Sequence, residues 1–111
     1  MAFQKVCDLE DLWEGEMEAF MVDNHDVLII HADGGSVRAV QGICPHQEIP
    51  LVEGALQGMT LMCRAHLWQF DVDSGESINP TGCRLALYPV KVEDGAVYVD
   101  VEGIKPVYSA A

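Results

Sequence analysis

An all-β domain is what this sequence predicts: an antiparallel sandwich or barrel with a small inserted subdomain. Three observations predict it. Apolar residues recur with period two over much of the chain, the spacing that puts side chains on one face of a strand. Gly, Asp and Asn interrupt these runs at near-regular intervals, as short strands joined by tight turns require. The chain has 111 residues, half of them apolar, enough for one domain with a real core.

The elements follow in order. "DLEDLW" (8–13) suggests a helical turn with Asp8 as its N-cap. "EMEAFMV", "DVLIIHA" and "SVRAVQG" are three strands, separated by Asn24/His25 and by Asp33-Gly34-Gly35. Residues 42–84 lose the alternation and are richer in Gly and Pro. They read as the inserted subdomain: loop 44–50, strand 59–63, loop 63–67, strand 68–72, a turn at Asp73-Ser74-Gly75, and the loop "NPTGC" (79–83). In "YPVKVEDGAVYVDV" the alternation returns, with Val90 and Val92 before Asp94-Gly95 and Val97, Val99 and Val101 after it. Asp-Gly tolerates the positive φ angles of a two-residue hairpin turn. The scaffold is thus 1–41 and 85–101, and the tail 102–111 carries no pattern and is expected to be loose.

Composition removes several function classes. The formal charge is −12, and nucleic-acid binding needs a basic face to displace phosphate counterions. No run approaches the roughly 18 apolar residues of a membrane span. The acidic start, "MAFQKVCDLEDLWEG", has neither a basic n-region nor an apolar core, so a signal peptide is not expected and the location reads as cytoplasmic. Thiols stay reduced there, so the four cysteines read as ligands plus bystanders. Charge is also unevenly placed. Segment 42–70 holds two acids and one base, a net of −1, leaving 16 acids and 5 bases, a net of −11, for the rest.

The chemistry lies in two short stretches, "ICPHQEIPL" and "LMCRAHLWQF". Each carries one thiol and one imidazole, Cys44 with His46 and Cys63 with His66, and 16 residues separate the halves. Thiolate with imidazole suits zinc or an iron–sulfur cluster. Zinc sites of two cysteines and two histidines usually pair Cys with Cys and His with His along the chain, whereas each half here is mixed. Two facing loops of mixed type can present both sulfurs on one side and both nitrogens on the other. One iron of a [2Fe–2S] unit is then held by Cys44 and Cys63, the other by His46 and His66. Two ferric ions, two sulfides and two thiolates sum to zero, against minus two for a four-cysteine cluster, so an electron is added more easily. This places such centres at about −150 to +300 mV, against about −400 mV for plant-type clusters. Neither ligand loop has a further cysteine, and Leu67 and Trp68 after His66 offer no hydroxyl to a cluster sulfur, so the low end of the range is expected.

Cys-x-His followed by Cys-x-x-His resembles the signature of the Rieske-type ferredoxins. The likeness runs from "KVCDLEDLWEGEMEAF" through "CPHQEIPLVEG", "CRAHLWQFD" and "INPTGC" to "LYPVKVEDGAVYV". In that detail the chain is most similar to the ferredoxin subunits of toluene/o-xylene (toluene-4-) monooxygenase systems. The resemblance implies a Rieske-type fold and a [2Fe–2S] cluster held by Cys44, His46, Cys63 and His66. It also implies a monomeric one-electron carrier between an NADH-dependent flavin/iron–sulfur reductase and a di-iron hydroxylase, with no catalytic residue of its own. Asn79-Pro80-Thr81-Gly82 corresponds to the proline-containing loop over the cluster.

The uncharged residues beside the ligands, Pro45, Gln47, Ile49, Pro50 and Leu67, read as an apolar docking rim. Trp68 reads as a core anchor, or else as a shield at the cluster edge or a contributor to docking. Cys7 is expected to be a small core residue, Cys83 a buried free thiol, and His25 and His31 solvated. Two other classes compete. A ring-hydroxylating oxygenase needs a separate mononuclear iron with two His and one carboxylate, and only His25 and His31 remain for it. A zinc-stabilised interaction module is the third class. Within the carriers, the runners-up are the ferredoxin of an aromatic ring-hydroxylating dioxygenase and the small subunit of a nitrite reductase.

Overall fold

The computed structural model describes residues 3–32, 35–44, 50–63, 68–79 and 83–105. The strands among them are β1 (Gln4–Asp8), β2 (Met17–Val22), β3 (His25–His31), β4 (Val37–Gln41), β5 (Ala55–Gln57), β6 (Thr60–Met62), β7 (Gln69–Asp71), β8 (Ser77–Asn79), β9 (Leu87–Tyr88), β10 (Val90–Glu93) and β11 (Ala96–Val99). Single 3-10 turns cover Leu9–Asp11 and Leu51–Glu53. The strands form three antiparallel sheets, in the orders β1-β11-β10, β2-β3-β4-β9 and β5-β6-β7-β8.

The run "VLII" in β3 sets how the sheets stack. Val27, Leu28, Ile29 and Ile30 are all fully buried, which a strand with one solvated face does not allow. Val27 and Ile29 pack with Val97 and Val99 of β11 on one side. Leu28 and Ile30 pack with Leu61, Phe70 and Val72 of the inserted segment on the other. The sheet containing β3 is therefore the middle layer, with a core on each face. The inserted segment shares its core with that sheet: Leu28, Ile30 and Val40 stand in the same core as Leu51, Leu61 and Phe70. Within the inserted segment the backbone forms a tight seam of its own, since a Cβ added at Gly54 would lie 1.9 Å from the Met62 carbonyl oxygen.

Several local expectations shift. The β2–β3 turn falls on Asp23 and Asn24, with φ of 47° and 65°, so His25 begins β3 opposite Val22. The turn at Leu9–Asp11 is 3-10, and Asp8 does not cap it; the Asp8 carboxylate pairs instead with Lys5 Nζ at 2.9 Å. The hairpin at Asp94-Gly95 has positive φ at both residues, 53° and 77°, and aligns Glu93 with Ala96. Strands β1, β5, β8 and β9 were not legible as strands; three of them have only two or three residues, too few to show alternation. Past Glu102, Ile104 still packs against the scaffold core, while 106–111 lie outside the described residues, as does part of the turn at 33–35.

Candidate metal centre

The three loops of the inserted segment are each closed at the root by a pair the structure describes. Ile43 and Pro50 form an antiparallel bridge, and Leu51 N–H donates to the Gly42 carbonyl at 2.8 Å, so the chain leaves and re-enters at one point around Cys44. Cys63 N–H donates to the Trp68 carbonyl at 2.7 Å, closing the loop between β6 and β7. Ser77 N–H donates to the Cys83 carbonyl and Cys83 N–H donates to Ser77 Oγ, both at 2.9 Å, closing the third loop.

Cys44 and Cys63 stand at the roots of the first two loops. Both are fully buried, and both belong to the same apolar core as Leu28, Leu51 and Phe70. Two distant stretches of sequence thus place their thiols in one water-excluded region. His46 and His66 lie outside the described residues, and so do Pro45, Gln47, Ile49, Leu67 and Pro80. Trp68 is half-buried, packs against the core that holds both cysteines, and stacks on the fully buried Phe70 with ring centroids 6.2 Å apart and an interplanar angle of 22°. Pro50 is exposed.

Gln41 was missed in the sequence. It is 1% exposed, its Nε2 donates to the Ile43 carbonyl at 2.8 Å, and its Oε1 accepts from Ala86 N–H at 2.8 Å. It thereby ties the peptide preceding Cys44 to the strand that returns after the third loop. A signal existed: Val37, Ala39 and Gln41 alternate on the inward side of β4, and a polar residue in an inward slot must find partners.

The other cysteines and histidines differ from expectation in detail. Cys7 lies within β1 and is only half-buried against the scaffold core. Burial pushes its thiol pKa up, and the carboxylates of Glu18, Asp11 and Asp8 push it further, against a smaller opposing effect of Lys5. Cys83 is half-buried too, at the third loop's root. His25 and His31 are not simply solvated. Both are half-buried; His31 Nδ1 lies 2.8 Å from the Leu12 carbonyl, His25 Nδ1 lies 3.0 Å from the Asp23 carbonyl, and the His25 ring meets Tyr88 edge-on.

Two buried thiols share one core, each followed in the sequence two or three positions later by a histidine, and thiolate with imidazole fits the chemistry of a mixed sulfur and nitrogen centre. The family model of the Rieske [2Fe-2S] domain matches residues 2–89, and the chain belongs to that family. It is an electron-transfer protein with a Rieske-type [2Fe–2S] cluster, a ferredoxin and not an enzyme in its own right. It is 47% identical over 98 residues to the ferredoxin component of the alkene monooxygenase system of Xanthobacter autotrophicus (strain ATCC BAA-1158 / Py2), covering 87% of this chain and 80% of that one. Among solved structures, the ferredoxin of carbazole 1,9a-dioxygenase from Nocardioides aromaticivorans IC177 superposes with a TM-score of 0.82 at 29% identity, over 89% of this chain and 97% of that one. The ferredoxin in a complex of reduced oxygenase and oxidized ferredoxin of carbazole 1,9a-dioxygenase gives 0.80 at 28% identity, over 87% and 91%.

Proposed function

We propose that this ferredoxin carries single electrons from an NADH-dependent flavoprotein reductase to the di-iron hydroxylase of an aromatic, toluene-type monooxygenase. The cluster supplies one reversible electron when bound. Cys44 and Cys63 would hold one iron and His46 and His66 the other. The protein around them excludes water from the two sulfurs through Leu28, Leu51 and Phe70, and fixes the loop roots through Gln41, Ser77 and the Cys63–Trp68 hydrogen bond. Pro45, Gln47, Ile49, Pro50, Leu67, Trp68 and Pro80 would form the docking rim. As a carrier the protein would work as a cytoplasmic monomer; no helix among the described residues is long and apolar enough to cross a membrane.

The observation that carries this reading is the burial of Cys44 and Cys63 in one core at the roots of two loops that each hold a histidine. The monooxygenase assignment draws on the 47% identity to the alkene monooxygenase ferredoxin. A second reading, the ferredoxin component of an aromatic ring-hydroxylating dioxygenase, draws on the superposition with the carbazole dioxygenase ferredoxin.

Reconstitution decides among them. Loaded ferredoxin, reductase and NADH are combined in turn with a toluene-type hydroxylase, an alkene monooxygenase and a ring dioxygenase, and product formation is timed. Fastest turnover with the toluene-type hydroxylase is expected. Fastest turnover with the dioxygenase overturns the first reading in favour of the second. A colourless, zinc-containing protein, or an EPR signal of all-thiolate coordination after reduction, overturns the carrier and its ligand set together.

A further inference from the structure

Trp13 is 72% exposed, next to Leu12, which is 3% exposed and packs in the scaffold core. An apolar ring of this size left in water has a cost, and this one is held in place. Its Nε1 donates to the Glu10 carbonyl at 3.2 Å, and its backbone N–H donates to Glu16 Oε1 at 2.9 Å. Its segment is tied to the end of β3 by Gly15 N–H donating to the His31 carbonyl at 2.6 Å, and by His31 Nδ1 at 2.8 Å from the Leu12 carbonyl. A ring already ordered loses little entropy on docking, the property of an interface anchor. Around it, residues 8–16 contain five acids and no base, and Glu10, Asp11, Glu14 and Glu16 are exposed.

The anchor's segment and the root of the first candidate ligand loop attach at opposite ends of β3. The segment joins β3 at His31, whereas Gly42, two residues before Cys44, bonds Asp26 at the other end of that strand. The two attachment points are five positions apart along the strand, ~17 Å. Charge is concentrated locally in this segment, where residues 8–16 carry five of the chain's acids and no base. Long-range attraction to a basic partner therefore acts on this surface.

We infer that Trp13, within its acidic collar, is a second docking surface, separate from the cluster end, for a basic patch with a shallow apolar pocket on the oxygenase component. The inference rests on the reading of the chain as an oxygenase ferredoxin. A second copy of this chain is the wrong occupant, because two molecules of net charge −12 repel. The oxygenase is favoured over the reductase by electron count. Each monooxygenation consumes two electrons and two protons to reduce one atom of O2 to water, and the carrier brings one electron at a time. Holding the carrier by its far end raises its effective concentration for the second delivery and leaves the cluster end free to reorient.

The test uses loaded ferredoxin with its purified reductase and oxygenase. Trp13→Ala is expected to raise the ferredoxin KM by about tenfold at low salt, with kcat at saturating ferredoxin, the reduction potential and the rate of reduction by the reductase unchanged. Glu10→Gln with Asp11→Asn is expected to flatten the salt dependence of KM. Trp13→Phe, which keeps an apolar ring, recovers part of the loss. An unchanged KM in a Trp13→Ala protein of normal melting temperature overturns the inference. So does a defect confined to reduction by the reductase, or a wild-type dimer that Trp13→Ala dissolves. Direct calorimetric titration of each ferredoxin into the oxygenase separates the two readings: wild-type turnover failing while Trp13-dependent binding persists sinks the carrier, and no binding by wild type sinks both.

Discussion

At the residue scale, charge and burial set the chemistry. His66→Cys replaces a neutral donor with a thiolate, adding one negative charge to the oxidised centre. The reduction potential of an assembled variant is expected to fall, as read by voltammetry; an equal or higher value would contradict both the charge argument and the role of His66. Cys7 titrates in the opposite sense to a ligand thiol. Burial and three nearby carboxylates raise its pKa, so the folded chain keeps that proton to higher pH than the unfolded chain does. Its contribution to stability is complete below the ordinary thiol range and is lost as pH rises through the raised value. Iodoacetamide should therefore alkylate Cys7 more slowly than free cysteine at pH near 8, by mass mapping, and reaction as fast as free cysteine would refute the shift. The candidate donor set is read at this scale because thiol and imidazole spacing is a chemical signature, and the fold brings its two cysteines into one core. Gln41 was not, because its function depends on which carbonyl and which amide tertiary packing brings to it.

At the element scale, short pieces depend on close approach. Gly54 ends the 3-10 turn at Leu51–Glu53 with φ −85°, a value any residue adopts, so its role is space and not backbone freedom. An added Cβ would strike the Met62 carbonyl of β6. Gly54→Ala is expected to cost about 1–3 kcal/mol by forcing that turn off the sheet, read as a lower midpoint in denaturant together with a lower iron content. A wild-type midpoint would show that the seam adapts. Strands β2 and β4 and the Asp94-Gly95 hairpin were readable because alternation or a turn dipeptide is a local property, and β3 because a short apolar run rich in β-branched residues between turn residues is one too. The three-residue strands β5 and β8 exist only because their neighbours do.

At the scale of the whole molecule, two cores meet on opposite faces of one sheet. One holds Cys44 and Cys63, and the other is built by β11 and its neighbours without them. Removal of iron with a chelator under reducing conditions is therefore expected to act unequally. Hydrogen exchange should accelerate most in β5–β7, whose Leu56, Leu61 and Phe70 pack in or against the cysteine core, and least in the β10–β11 hairpin, with a lower melting temperature overall. Uniform acceleration would mean that the two cores unfold as one. The sequence by itself determined the all-β class, the acidic character and the candidate donor spacing, because strand periodicity, charge and the positions of thiols and imidazoles are written along the chain. Tertiary structure alone decided that the central strand is buried on both faces, that the inserted segment shares the scaffold's core, that Gln41 braces the first ligand loop, and that Trp13 stands in water at the far end of β3. Each of those depends on contacts between residues far apart in the chain, and the energy of burial is set by what finally covers a side chain, which no local pattern records.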